Sequence, residues 1–137
     1  MAQSEASRNG MIAEYKAIAK FIEMGYDVLI PSTNAHYDMV VLKDNVFLKV
    51  QVKSTRYCRN QKWTLLIARG NGINGTAKIA YHSDDVDFIL AYVVNEDRFY
   101  NVPLNATKGL IKLNLPKIGT KENEFSQYLD NWGFDGA

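Results

Sequence analysis

Residues 37–53 constrain this chain more than any other stretch: Tyr37-Asp38-Met39-Val40-Val41-Leu42-Lys43-Asp44-Asn45-Val46-Phe47-Leu48-Lys49-Val50-Gln51-Val52-Lys53. Two strand-like runs flank Asp44-Asn45, residue types that tolerate the positive φ of a tight hairpin turn. Pairing Lys43 with Val46 sets Leu42 opposite Phe47, Val40 opposite Lys49 and Asp38 opposite Gln51. Opposed side chains share a face, with Cβ atoms about 4.5–5.5 Å apart. Lys53, two residues beyond Gln51, falls on the same face. The other face of the second strand reads Val46, Leu48, Val50, Val52 and packs into a core. An Asp, a Gln and a Lys are thus gathered at one end of an otherwise buried hairpin, where polar groups cost free energy unless they are satisfied.

With 137 residues, the chain suits one domain, 1–137, with a substantial core. Its apolar runs are too short to span a bilayer, and Met1-Ala2-Gln3-Ser4-Glu5 does not open a secretory signal. The expectation is a chain without a membrane partner, in the cytoplasm or at an organellar or nucleoid location. Cys58 is the single cysteine and has no internal partner. Net charge is only +1, but no acidic residue occurs between Asn45 and Ser83. That stretch holds Lys49, Lys53, Arg56, Arg59, Lys62, Arg69 and Lys78, a one-sign segment suited to a phosphate backbone. Tyr57, Trp63 and Tyr81 lie among these cations, where rings can pack on sugar or base.

Ser7 or Asn9 is the expected cap of a helix running to about Met24 and stopped by Gly25. Met11, Tyr15, Ile18 and Ile22 recur at helical spacing as its buried stripe. Glu14 stands on the border of that stripe, able to look into a cleft. Further strands are expected at Tyr26–Pro31, Trp63–Ala68, Phe88–Val94, Arg98–Val102 and Leu110–Leu115, with a C-terminal helix over Lys121–Trp132. Residues 70–75, Gly70-Asn71-Gly72-Ile73-Asn74-Gly75, form a glycine-rich turn without the lysine of a phosphate cradle. The order predicts an α/β fold, a mixed β-sheet flanked by helices.

Cutting a phosphodiester calls for a divalent cation held by hard oxygen donors and a positive group against the charge developing on phosphate. Asp38 offers a carboxylate, Gln51 an amide carbonyl, Val52 a backbone carbonyl and Lys53 the positive charge. Glu14 can complete the metal shell directly or through water. Taken singly, each has a plain structural role: Asp38 can cap a turn, Gln51 can bond across the strands, Lys53 can snorkel from a strand end. Their coincidence on one face is what points to chemistry. His36 shares the face of Asp38, while His82 and Cys58 lack the partners of a zinc site.

Glu14 on a helix, Asp38 on a strand and Gln51-Val52-Lys53 on the next resemble the PD-(D/E)XK nuclease superfamily and its restriction-endonuclease-like core. The Gln-x-Lys variant and Phe99-Tyr100-Asn101-Val102-Pro103 are most similar to small group I intron-encoded homing endonucleases. The resemblance covers roughly residues 8–103. It implies a DNA endonuclease using Mg2+, with Mn2+ able to substitute. Catalytic residues would be Glu14, Asp38, Gln51 and Lys53; metal ligands would be Asp38, Gln51, Val52 and Glu14. Lys49, Arg56, Arg59, Lys62, Arg69 and Lys78 would contact double-stranded DNA. Gln51 replaces the usual acid, which favours one tightly held metal ion over two, or a lower metal affinity.

One site cuts one strand, so a double-strand break calls for a homodimer or a dimer-of-dimers tetramer. Residues 84–132 are the expected interface, because they are read as lying outside the catalytic core. The rivals are a Holliday junction resolvase, a restriction-type endonuclease and a catalytically inactive DNA-binding protein.

Overall fold

The computed structural model describes residues 4–69 and 78–136; the glycine-rich stretch 70–75 lies outside the described residues. Helix α1 (Glu5–Glu23) begins three to five residues earlier than expected. Ser4, not Ser7 or Asn9, is its cap, accepting the Ser7 N–H at 3.1 Å. Gly25 follows the helix with φ +91°, a conformation that side chains with a Cβ rarely adopt. Strands β1 (Asp27–Leu29), β2 (Met39–Lys43) and β3 (Val46–Thr55) come next. Asp44 and Asn45 both have positive φ, 51° and 64°, as a two-residue primed turn requires. The expected register follows: Lys43 pairs with Val46, Leu42 with Phe47, Val40 with Lys49.

β8 (Phe88–Val93) lies parallel to β3, and β9 (Arg98–Pro103) antiparallel to β8. The first sheet is therefore mixed, in the order β1-β2-β3-β8-β9. A second sheet, β10-β5-β4, comprises Lys112–Pro116, Lys62–Leu66 and Cys58–Arg59. A short ribbon pairs β6 (Ala68–Arg69) with β7 (Ile79–Ala80). Every β8 residue is buried, as expected of a strand covered on both faces. One core lies between α1 and the first sheet, with Phe21, Met39, Val50 and Phe88. The other lies between the two sheets, with Trp63, Leu65, Ile89, Leu113 and Leu115.

Three expectations are corrected. First, α1 turns Ala13, Ala17 and Phe21 inward, leaving Met11 40%, Tyr15 66% and Ile22 59% exposed. Alanines let the helix lie close on β3, a position from which the larger side chains would hold it off. Second, residues 121–132 form no α-helix; only Ser126–Tyr128 makes a 3-10 turn. Phe125 belongs to the inter-sheet core, while Trp132 and Phe134 belong to the core under α1. The tail must pass around the β9 edge, and a single helix cannot serve both faces. Asn101 and Asn131 fasten it by reciprocal side-chain-to-carbonyl hydrogen bonds of 3.1 Å. Helix therefore flanks one face of the sheet, and the second sheet covers the other. Third, residues 84–132 are not peripheral to the site strands, because β8 pairs directly with β3.

Phe21 meets the rings of Tyr26, Trp132 and Phe134. Phe21→Ala is expected to cost about 3–5 kcal/mol in urea unfolding, while Met11→Ala stays within about 0.5 kcal/mol. Equal losses from the two would contradict the helix orientation.

Candidate active site

The ladder between β2 and β3 stops at Met39–Val50. Asp38 donates its N–H to the Val50 carbonyl at 2.9 Å, rather than continuing as the backbone partner of Gln51. Its side chain does what the departing backbone no longer does: Oδ2 accepts the Val52 N–H at 2.8 Å. The carboxylate is thereby fixed where the sheet splits. Glu14 reaches the same point from α1, and its carboxyl hydrogen-bonds to that of Asp38.

Both carboxyls titrate high. Burial and the neighbouring Asp38 push Glu14 up to about 7. Burial also raises Asp38, against the opposing pull of the Val52 N–H, Glu14 and Lys53. Lys53 is drawn down by burial and by nearby Lys78, while Asp38 draws it up. Its Nζ stands 5.7 Å from the ring centre of Tyr81, whose hydroxyl burial pushes up to about 12. Gln51 is half-buried on β3, and among the described residues its side chain has no hydrogen-bond partner.

A second cluster borders this one. Arg69 Nη1 lies 3.0 Å from His36 Nε2, and Arg69 Nε lies 3.6 Å from Asp85 Oδ2. Tyr81 feels the charges of Asp38, Asp85 and Arg69 alike, so it joins the two groups. The sequence marked Tyr81 only as one aromatic among cations. Its place under Lys53 depends on β7 returning beside β6, which no local signal announces.

The remaining cations divide. Lys49 donates to the Asp84 carbonyl, and Arg56 pairs with Glu5. Arg59 and Lys62 face each other across the β4–β5 hairpin and line a cavity that includes neither carboxylate. Lys78 stands close enough to Lys53 to affect its protonation.

The PD-(D/E)XK endonuclease profile matches residues 4–135. The chain belongs to that family. The PD-(D/E)XK protein is also 35% identical over 95 residues to Protein 5.3 of Escherichia phage T7, spanning 69% of this chain and 77% of that one. Among solved structures it is similar to the bacterial homing endonuclease I-Ssp6803I. The TM-score is 0.83 at 25% identity, over 95% of this chain and 92% of the other. The restriction-endonuclease-like α/β fold and the nuclease class are thereby established.

PD-(D/E)XK nucleases generally use divalent metal ions, and the donors here fit one. Two carboxyls held in contact at raised pKa are a pair that a hard cation relieves, and Gln51 adds an uncommitted amide oxygen. Among the described residues no third Asp, Glu, His or Cys joins them, so amide or backbone oxygens, water or phosphate must complete such a shell.

The metal-free protein should show this strain. An acid whose folded pKa is raised contributes stability below its unfolded value, 4.5 for Glu14, and loses it as pH rises through about 7. Glu14→Gln should therefore leave Tm close to wild type at pH 4 and raise it at pH 8, measured in EDTA. A difference that does not change with pH would contradict the pairing.

Proposed function

We propose that the protein is a Mg2+-dependent endonuclease that cuts both strands of duplex DNA at a specific site, in the manner of a homing endonuclease. Residues 1–137 act as one nuclease domain. The observation that carries this is the contact of Glu14 with Asp38 beside Lys53, at the split in the sheet. Likeness to a bacterial homing endonuclease over nearly the full chain supports the homing type.

Asp38 is the principal metal ligand, already oriented by the Val52 N–H. The Gln51 amide oxygen and the Val52 carbonyl would complete the shell with it, and Glu14 would bind directly or through a water. When bound, the ion supplies Lewis acidity toward the scissile phosphate and a more acidic water. Lys53 would orient the attacking water and offset the charge that builds on the phosphate oxygens. Tyr81 limits where the Lys53 ammonium can lie.

Supercoiled plasmid and long duplex substrates should be cut only with Mg2+ or Mn2+. Asp38→Ala and Lys53→Ala should each lower the rate by on the order of 100-fold or more. Undiminished cutting by either variant would overturn the assignment. Four-way junctions should be cut no faster than linear duplex containing the site; the opposite preference would favour a junction resolvase.

Cutting two strands requires two sites, so the working unit is a homodimer or a dimer of dimers. Light scattering of the DNA complex should give an even number of chains. A single chain per duplex, together with double-strand breaks, would contradict this.

A further inference from the structure

The outward face of the second sheet forms a surface separate from the carboxylate cleft. Trp63, Leu65, Leu113 and Leu115 point from β5 and β10 into the core. Strand alternation then turns Lys62 and Thr64 on β5, and Lys112 and Asn114 on β10, outward. With Tyr57 and Arg59 they line an open cavity of about 410 Å3, and no residue lining it is acidic.

The arrangement along this face is ordered. Thr64 and Asn114 oppose each other at the centre, with Thr64 Oγ1 3.2 Å from Asn114 Oδ1. Lys62 lies at one end, opposite Pro116, next to Arg59 across the hairpin; Lys112 lies at the other end, opposite Leu66. Four residues of strand separate the two ends, about 13 Å. The major groove of B-form DNA is about 12 Å wide and admits a β-ribbon. Cations therefore stand at the spacing of the two phosphate walls, with neutral hydrogen-bonding groups between them.

We propose that this face enters the major groove of duplex DNA and is the element that reads sequence. Lys62 and Arg59 contact the phosphates of one wall and Lys112 those of the other, while Thr64 and Asn114 meet base edges. The assignment rests on the endonuclease reading above. It also sets a distance. From Lys53 the last residues of β3 lead to Thr55, whose hydroxyl donates to the Thr64 carbonyl at 2.6 Å, and Thr64 in turn donates its N–H to the Tyr57 carbonyl at 2.9 Å. Lys53 to Tyr57 is four residues, at most about 14 Å even if fully extended, or no more than about four base-pair steps of about 3.4 Å. The bases read by this face lie within about that distance of the cut phosphate. Duplex RNA does not qualify, because its deep, narrow major groove excludes such a ribbon.

The test is fluorescence anisotropy with labelled duplex DNA in EDTA across a salt series. The variants are R59Q/K62Q/K112Q and, should the triple variant unfold, K112Q alone. The triple variant should flatten the slope of log Kd against log salt by about 2.7, and K112Q by about 0.9. T64A/N114A should keep the slope but relax base preference about tenfold in a randomised-site cleavage library, at positions within about four base pairs of the cut. Wild-type slopes in the cation variants, unchanged preference in T64A/N114A, or equal binding of duplex RNA would overturn the inference. If wild-type protein cuts DNA yet the variants match it, this inference alone falls. If wild-type protein neither binds nor cuts duplex DNA, the endonuclease reading falls with it.

Discussion

The site depends on one hydrogen bond, from the Val52 N–H to Asp38 Oδ2 at 2.8 Å. Two antiparallel strands that part leave edge donors and acceptors exposed, and a partly buried edge donor needs a partner. Here a side chain takes that role. The same carboxylate that closes the end of the ladder is thereby aimed at Glu14 and Lys53. Structure and chemistry draw on one group, so the split in the sheet and the site arise together.

The neighbouring elements serve that split. Ala13 and Ala17 allow α1 to lie close enough for Glu14 to reach Asp38. β8, buried on both faces, fixes β3 from its other side, so Gln51 and Lys53 sit on a strand held along its length. Glu96 ties the two sheets by accepting from Trp63 Nε1 and the Ile118 N–H, each at 2.9 Å.

Much of this was legible where a local rule decides the outcome. Asp44-Asn45 specifies a primed turn, and the turn fixes the register of the whole hairpin. The strands at 62–66, 88–93 and 98–103 also follow from pattern. Legibility failed where tertiary packing overrode pattern. Met11, Tyr15 and Ile22 have the helical spacing of a core stripe, yet the close approach to β3 favours the smaller Ala13 and Ala17. The tail reads as helical until Phe125 and Trp132 are seen to belong to different cores. Of the candidate site, Asp38, Gln51 and Lys53 follow from register alone. The contact of Glu14 with Asp38 and the placing of Tyr81 under Lys53 depend on long-range docking. The expected backbone pairing of Asp38 with Gln51 gives way to the side-chain bond at Val52.

The central claim is that Glu14, Asp38 and Gln51 together hold a divalent cation. Anomalous diffraction from crystals soaked in Mn2+ tests it without relying on activity. A single strong peak is expected in contact with the Asp38 carboxylate and the Gln51 amide oxygen, with Glu14 bound directly or through water; the peak should vanish in Asp38→Asn. A peak held by other residues, or one that persists in Asp38→Asn, would contradict it.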